Sequence, residues 1–446
     1  MIRKLPGLII LSIALVAAIV PDRASSAASF EPGSYGAHRW LRNPIIVSLS
    51  TSLDSAPPNI KDGSDMTGAA RRALKSWSDA TGIQFLETTS SIETMSRTND
   101  GDGVNLITAS VTNASEFEDS DAPARTRVFY DSGGAIVEAD IALNPDARFS
   151  TDGTPGTYDL ESTFAHEIGH LIGLEHSAVI GATMQPRQAK NGVYGLPGFT
   201  QRSLSEDDIA SAHALYGARG SSISGRLMTN VSGRARSIFG ANLFAEDVAT
   251  GSVVASGISS ASGSYRIEGL RPGVYRLFAQ PLDGPIVAGD IAANSLQSGL
   301  VETSPSFRSF VASNSSPSQS LNVSANSATR LSFFVFTRTP ELTPRLIGMN
   351  GELSTAALPL HPGETLTIYI AGEGVDNVAL EGISISSPFI RVVDDSLHEM
   401  KFDTPYTVIG FDIAIDANIP SGDYSIRLRS SKGELAFLPG ALTIDE

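Results

Sequence analysis

The chain has 446 residues, enough for roughly two to four domains, and its 41% hydrophobic and 18% charged composition excludes an intrinsically disordered protein. A formal net charge of −16 argues against nucleic acid as a partner. The absence of cysteine excludes disulfides and thiolate metal ligands within these residues.

The first 28 residues have the pattern of a secretory signal peptide. Arg3 and Lys4 precede an apolar run, Leu8 to Val20, and small residues follow it. An uncleaved anchor helix is the alternative, but the run is shorter than the roughly 20 residues of a membrane span. We therefore expect a secreted mature protein without an integral membrane span.

The following stretch alternates strands with helices. Apolar residues at steps of three and four predict a helix over 66–80, capped by Ser64 or Asp65 and ended by Gly82. A second helix covers the segment "TYDLESTFAHEIGHLIGL", and a third begins at Ser205, with Asp208 as its reciprocal cap. Short strands are predicted at the end of 39–50, in "GIQFLETT", and in "VNLITASV".

A hairpin is predicted between residues 125 and 144, around the turn "DSGG". Its second strand alternates apolar residues with Glu138 and Asp140, which predicts burial of one face only. We take the strand near 135–143 as the sheet edge along which an extended peptide would bind.

The second helix carries the segment "HEIGHLIGLEH". His166 and His170 are four residues apart, so both rings leave the same helix face. Gly173 can turn the chain in a left-handed C-cap and bring His176 to the same point. Three imidazoles suit a tetrahedral Zn²⁺ that keeps one position open for water.

Glu167 follows His166 and can point at that water without binding the metal. Zinc lowers the pKa of bound water to about 7, and the carboxylate can take the proton and return it to a leaving amine. Chance histidines on an ordinary helix are the alternative, which the third histidine at this spacing disfavours.

This segment resembles the long zinc signature of the metzincins, and further stretches are similar to the matrixins. The resemblance covers about 35–217, and includes "SAVIGATM" and "LSEDDIASAHALYG". It implies that His166, His170 and His176 are zinc ligands and Glu167 is the general base. It also implies that Met184 forms a hydrophobic floor under the zinc, a role that coincides with core packing.

Other parts of the resemblance leave alternatives open. Asp207 and Asp208 match acids that bond to neighbouring backbone, although an ordinary acidic helix start explains them equally well. Gln188 stands where a matrixin usually has tyrosine, in a loop, 185–202, that should line the substrate pocket. The acidic stretches 99–103 and 116–121 are compatible with Ca²⁺ but are more often solvated loops.

From residue 223 the pattern becomes turn-rich and strand-like, without a convincing helix. The stretch "GSYRIEGLRPGVYRLFAQ" resembles carboxypeptidase-regulatory or transthyretin-like β-sandwich domains. Residues 312–329 are rich in Ser and Asn and are predicted to form a loop or mobile insertion. Residues 344–446 are immunoglobulin-like in pattern only.

We therefore expect a multidomain fold: an α+β metzincin domain with a twisted, mostly parallel sheet and the active-site helix, then two all-β sandwiches. The expected function is that of a secreted metalloendopeptidase acting on proteins or peptides with one catalytic zinc; the alternative is a surface adhesion protein with a vestigial or secondary protease domain. Residues 29–220 are expected to act without the rest. The expected divisions are 1–28 (signal peptide), 29–217 (catalytic domain), 218–340 (sandwich with the Ser/Asn-rich insertion) and 341–446 (immunoglobulin-like sandwich).

Overall fold

The structure is a computed structural model, and it describes residues 38–445 except 56, 99, 119, 197–200, 218–219, 293–305 and 313–319. The expected signal peptide lies outside the described residues. In the described part of the chain, no helix has both the length and the apolar composition needed to cross a bilayer.

The first part of the chain is an α+β domain built on a five-stranded sheet in the order β2-β1-β3-β5-β4. Neighbouring strands are parallel except β4 and β5, which form an antiparallel hairpin, so the expectation of a mostly parallel sheet is confirmed. The elements are β1 (Ile45–Ser50), α1 (Met66–Thr81), β2 (Phe85–Ser90), β3 (Leu106–Thr108), β4 (Ala124–Tyr130), β5 (Ile136–Leu143), β6 (Phe149–Ser150), β7 (Tyr158–Asp159), α2 (Leu160–Leu171) and α3 (Glu206–Tyr216). Short 3-10 helices cover Thr51–Asp54, Val111–Glu116 and Val193–Gly195.

Helix α1 begins and ends where the sequence predicts. The Asp65 side chain accepts from the backbone N–H of Gly68, and Gly82 ends the helix in the left-handed region at φ 74°. The apolar stripe, including Met66 and Trp77, is buried. The Trp77 indole donates to the carbonyl of Ala165 at 2.7 Å, which joins α1 to α2.

The prediction that strand 135–143 forms the sheet edge is wrong. That strand, β5, pairs with β3 on one side and β4 on the other, and β4 is the last strand of the sheet. Alternation of apolar residues cannot show which strand of a hairpin lies inside, because both strands of a hairpin can carry the same alternation.

The prediction that β5 buries only one face is also wrong. Glu138 and Asp140 are buried, whereas Val137 is 40% exposed. The loop before β3 covers the carboxylates, and backbone amides satisfy Asp140: Ser96 in the loop and Leu106 at the start of β3 donate to it at 2.7 and 3.0 Å. Burial of a carboxylate becomes tolerable when several N–H groups replace its water.

The second part is a sandwich of two five-stranded sheets that enclose one apolar core. One sheet has the order β11-β10-β13-β14, with β15 also paired to β13; in the other, β8 pairs with β12, β16, β17 and β9. The elements are β8 (Ser221–Val231), β9 (Arg234–Ser237), β10 (Ala241–Asp247), β11 (Val253–Ile258), β12 (Ser264–Leu270), β13 (Gly273–Pro281), α4 (Ala288–Ala292), β14 (Phe310–Ala312), β15 (Leu321–Val323), β16 (Ala328–Arg330) and β17 (Phe333–Val335).

Two expectations about this region need correction. The stretch 312–329 is not all loop, because β15 and the start of β16 lie in it; residues 313–319 are outside the described part. A helix, α4, is present although the sequence shows no helical stripe. It is only one turn long, too short for a periodic signal.

The third part is a sandwich of a six-stranded and a four-stranded sheet around a shared core. The orders are β19-β18-β21-β25-β23, with β24 also on β25, and β20-β27-β26-β22. The strands are β18 (Thr343–Met349), β19 (Glu352–Ser354), β20 (Leu358–Leu360), β21 (Thr365–Glu373), β22 (Val378–Ile385), β23 (Ile390–Val392), β24 (His398–Met400), β25 (Thr407–Ile415), β26 (Gly422–Ser430) and β27 (Leu435–Ile444); a 3-10 turn covers Val375–Asn377. The expected α+β domain followed by two β-sandwiches is confirmed.

The three parts share buried apolar contacts. Val179 and Ala182 of the first part pack in one cluster with Phe244 and Phe278 of the second and Phe437 of the third. These contacts argue against the expectation that the first part acts without the rest.

Candidate zinc site

Helix α2 carries the histidine motif and is fixed at both ends. Asp159 caps its N-terminus by accepting from the backbone N–H of Ser162 at 2.9 Å, and Arg202 pairs with the same carboxylate. After the helix, Gly173 has φ 98°, and a Cβ there would lie 2.3 Å from the carbonyl oxygen of His38. Only glycine allows this turn, which directs the chain towards His176.

The three predicted histidines come together. Their ring nitrogens lie within 4.8 Å of one another, and Nε2 of His170 is 3.3 Å from Nε2 of His176. Two nitrogens bound tetrahedrally to one zinc at about 2.0–2.1 Å would be about 3.4 Å apart, so the spacing fits this metal. In the described ranges, no other set of three or more His or acidic side chains is placed to share an ion.

Backbone carbonyls orient two of the rings. Nδ1 of His166 lies 2.7 Å from the carbonyl oxygen of Thr183, and Nδ1 of His170 lies 2.8 Å from that of Leu174. A proton held on Nδ1 by a carbonyl leaves the lone pair of Nε2 free for a metal.

Burial favours the neutral form of His170 and His176. Burial lowers the pKa of His170 well below its ordinary value, and the neighbouring histidines lower it further. Burial, together with His166, also lowers the pKa of His176 to about 3, against the raising effect of the Ile291 and Asp290 backbone. Neutral imidazoles are the form that binds metal, so burial prepares the cluster for a cation.

Glu167 lies beside the cluster and is buried. Its carboxylate accepts a hydrogen bond from the Thr126 hydroxyl on strand β4. Burial raises the pKa of Glu167, while the charge of His166 and the bond from Thr126 lower it. A carboxyl with a raised pKa is a better proton acceptor than a solvated one.

Met184 is buried beneath the helix. A Cβ on Gly169 would lie 2.2 Å from the Met184 sulfur, so glycine at this position lets the sulfur touch the backbone of α2. Helix α3 holds the turn around Met184: Asp208 accepts from the N–H groups of Thr183 and Met184 at 2.7 and 3.1 Å. Of the two acids Asp207 and Asp208, Asp208 therefore bonds to neighbouring backbone as the resemblance implies. It also forms the predicted capping box with Ser205.

A cleft of about 510 Å³ opens over the histidines. Edge strand β4 lines one side through Ala124 and Thr126, and the loop after Met184 lines another through Arg187 and Gln188. Gln188, found in place of the usual tyrosine, is bound to α2, since its amide oxygen accepts from the Thr163 hydroxyl at 2.8 Å.

Sequence reasoning missed three cleft residues. Thr126 is an ordinary strand threonine without a distinguishing signal. Arg187 lies in the predicted pocket loop, but its partner Asp290 belongs to the second sandwich. Only the three-dimensional packing brings residues so far apart in the chain together.

The acidic stretches show no shared metal geometry in their described residues, and calcium stays a prediction. Glu116 pairs with Arg127 at 2.7 Å, and Asp102 accepts from the N–H of Val104 at 2.9 Å. Residues 99 and 119, one in each stretch, lie outside the description.

The first part has a mostly parallel sheet, a helix with paired histidines, a third histidine after a glycine turn and a methionine beneath them. Together these features resemble a metzincin domain. Residues 39–217 match the model of the matrixin family. This part of the chain is therefore similar to a matrixin domain and is called the matrixin domain below; matrixins are zinc-dependent endopeptidases.

Curated relatives also match only part of this chain. The chain is 29% identical to the hatching enzyme of Paracentrotus lividus over 194 residues, which are 41% of this chain and 27% of that protein. It is 27% identical to stromelysin-1 of Mus musculus over 182 residues, 41% of this chain and 34% of that protein. The chain therefore spans about a third of the length of these relatives.

Solved structures match this chain only at low scores. A minor pilin of Streptococcus agalactiae aligns over 28% of this chain and 48% of its own, with 11% identity and a TM-score of 0.17. A carbohydrate-binding protein from Bacteroides uniformis covers 49% of this chain and 96% of its own, with 13% identity and a TM-score of 0.17. Scores this low do not define a shared fold.

Proposed function

We propose that this protein is a secreted zinc-dependent endopeptidase that cleaves proteins or peptides at the cluster of His166, His170 and His176. The observation that carries the proposal is the convergence of three imidazoles with a buried carboxylate, Glu167, in an open cleft. We further propose the division at about residues 217 and 340, with an N-terminal signal peptide over 1–28.

The three histidines would hold one Zn²⁺, which supplies Lewis acidity toward a peptide carbonyl and lowers the pKa of water to about 7. Glu167 takes the proton from the attacking water and gives it to the leaving amine. Thr126 fixes the carboxylate through its hydroxyl. The buried Met184 keeps the floor beneath the histidines apolar and firm.

The substrate backbone binds along the outer edge of β4. Strand β4 is the last strand of the sheet and lines the cleft through Ala124 and Thr126, so it can accept an extended peptide as a further strand. Since Thr126 lies on the same strand, a peptide bound there passes beside Glu167. Strand β4, and not β5, is therefore the strand that would guide the substrate.

An adhesion protein with an inactive protease domain is the alternative. The two sandwiches are compatible with it, but Glu167 is held in place without being a metal ligand. A glutamate fixed beside the histidines by Thr126 suits proton transfer, and this supports the enzyme over the adhesion protein.

Digestion of an unfolded protein tests the proposal. The purified chain should cleave it, lose the activity with a zinc chelator, and recover it when zinc is returned. His170→Ala should lose both the metal and the activity. An unfolded substrate that stays intact with the fully zinc-loaded chain would favour the adhesion protein instead.

A further inference from the structure

A segment of the second sandwich reaches the cleft. After β13 the chain forms α4, and Ile286 and Ile291 are buried on either side of its start. Both belong to a cluster that includes Ile180 of the matrixin domain and Leu342 of the third part. The segment thus packs against both neighbours, and this packing places Asp290 in the lining of the cleft.

The same segment presents Asp290 to the cleft. One carboxylate oxygen lies 2.8 Å from the Arg187 guanidinium, and the other accepts from the backbone N–H of Val287 at 3.0 Å. Asp290 is 15% exposed and Arg187 is 50% exposed. Both line the same cleft as the three histidines and Glu167.

We infer that Arg187 and Asp290 form a charge-paired subsite that sets which substrate side chains are accepted next to the cleaved bond. The inference rests on the proposed function and adds a specificity-determining residue from outside the matrixin domain. The reasoning is electrostatic. A guanidinium in a partly enclosed cleft attracts an acidic side chain, and the carboxylate facing it cancels much of that attraction.

The paired subsite therefore favours uncharged side chains. A substrate carboxylate would meet Arg187 already neutralised by Asp290, and a substrate ammonium would meet Asp290 already neutralised by Arg187. Removing one partner leaves the other unpaired in the cleft, and the substrate charge opposite to it becomes the preferred one.

The test uses the full chain and peptide sets that differ only in carrying Glu, Gln or Lys at each position beside the cleaved bond. Asp290→Asn should raise the ratio of kcat/KM for Glu over Gln peptides by about three- to tenfold at one position. Arg187→Gln should raise the ratio for Lys over Gln peptides at that same position. Added salt should reduce both changes.

Asp79→Asn is the matched control. It removes the carboxylate of an exposed pair with Lys75 on α1, outside the cleft, and should leave every ratio unchanged. The charge-exchanged double variant, Arg187→Asp with Asp290→Arg, should return the ratios toward those of the wild type. Zinc content and circular dichroism check the fold of each variant. If Asp290→Asn does not fold, the peptide ratios of Arg187→Gln alone test the inference.

Unchanged ratios in folded, zinc-loaded Asp290→Asn and Arg187→Gln would overturn the inference. Failure of the proposed function has a different signature, because the wild type would then cleave none of the peptides. In that case the same ratios are read from the peptide Kd values, where the same shifts are expected and unchanged values again overturn the subsite.

Discussion

At the residue scale, the Thr126 hydroxyl is the contact that would position Glu167 for the proposed proton transfer. This hydroxyl lies against both the carboxylate and the backbone carbonyl of Glu167, at 3.0 Å for the carbonyl. Because the Thr126 hydroxyl contacts both groups, it holds the Glu167 side chain against its own helix backbone. Thr126 acts through Glu167 and is a positioning residue.

Thr126→Val should reduce peptide hydrolysis by roughly 10- to 100-fold while zinc stays bound, because a hydrogen bond to a charged group contributes about 1.5–3 kcal/mol. The loss should fall on kcat more than on KM. Thr126→Ser keeps the hydroxyl and is the matched control, with activity near wild type. Equal activity of the Val and Ser variants would show that the contact does not position the carboxylate.

Much at this scale follows from the sequence. His166, His170 and His176 are brought together as their spacing predicts, and Gly173 makes the predicted left-handed turn. The spacing of residues along a helix determines the direction in which their side chains point, so such a motif can be recognised from the sequence alone. Thr126 and Asp290 come from other elements, and no local pattern marks them.

At the element scale, strand β5 and the loop before β3 form a unit held by carboxylates. Glu138 accepts from the N–H groups of Asp102 and Gly103, and Asp140 from those of Ser96 and Leu106. A Cβ on Gly101 would lie 2.3 Å from a carboxylate oxygen of Glu138, so glycine allows the close approach. These oxygens are engaged by backbone amides.

We therefore expect one tight zinc per chain, bound by the three histidines. A structural zinc site needs four ligands, and the described residues offer no second set with histidine. Metal analysis after extensive dialysis is the measurement, with His170→Ala as the control that should retain none. A second tight zinc that survives in His170→Ala would contradict this expectation.

The same scale shows where pattern reading fails. The strands of the hairpin are predicted correctly, but the prediction that the second of them is the sheet edge is wrong, since alternation does not show which strand lies inside. Glu138 and Asp140 were assigned to a solvated face because a charged residue is usually exposed. Their partners are backbone amides, which leave no trace in the side-chain pattern.

At the scale of the whole molecule, the segment just before Met184 is held by both sandwiches. Val179 and Ala182 pack against aromatic side chains of the second and third parts, and the N–H of Ile180 donates to the carbonyl of Pro439 at 2.9 Å. Tyr194 is buried and its hydroxyl donates to the carbonyl of Ala356 at 2.7 Å. The floor of the zinc site thus rests on residues outside the matrixin domain.

Residues 29–217 alone should consequently be less stable and hydrolyse short peptides at least about 10-fold more slowly than the full chain. Truncation exposes the apolar surface of 178–182 and of Tyr194, which loosens the turn at Met184. Thermal unfolding and kcat/KM on one short peptide are the measurements. Phe437→Ala in the full chain disturbs the same interface less and should lower the free energy of unfolding by about 3–5 kcal/mol. A stable, fully active truncation would restore the expectation of an independent domain.

A buried acidic cluster lies at the same interface. Burial raises the pKa of Asp423 well above its ordinary value, and Asp208 and Asp445, then Asp207 and Glu206, raise it further. Burial, and then the charge of Asp208, raises the pKa of Asp207 to about 6. A carboxyl whose pKa is higher in the folded than in the unfolded state stays protonated to higher pH when folded. The free energy of unfolding therefore falls as pH rises from about 4 towards the folded-state pKa.

Asp423→Asn should therefore stabilise the chain at pH 8 by roughly 1–3 kcal/mol, a few degrees of Tm, and much less at pH 5. The amide keeps the shape and cannot ionise. Asp403→Asn, at an exposed position of the same sandwich, is the control without a pH-dependent difference. Lower stability of Asp423→Asn at both pH values would show that the carboxylate is ionised and bound.

The sequence predicted the class of each part but not their assembly. Periodicity and turn signals report on local structure, so an α+β domain and two sandwiches could be recognised separately. Contacts such as Arg187 with Asp290, or Val179 with Phe437, join distant elements and need the folded chain to be seen.

The most direct test of the account is the rate at which zinc-loaded Glu167→Gln cleaves an unfolded protein, relative to the zinc-loaded wild type. The amide fills the same space but cannot accept a proton, so zinc content and fold should be kept while the rate falls by about 100-fold or more. Cleavage by Glu167→Gln at the wild-type rate would contradict the central claim that this carboxylate carries the proton at the three-histidine site.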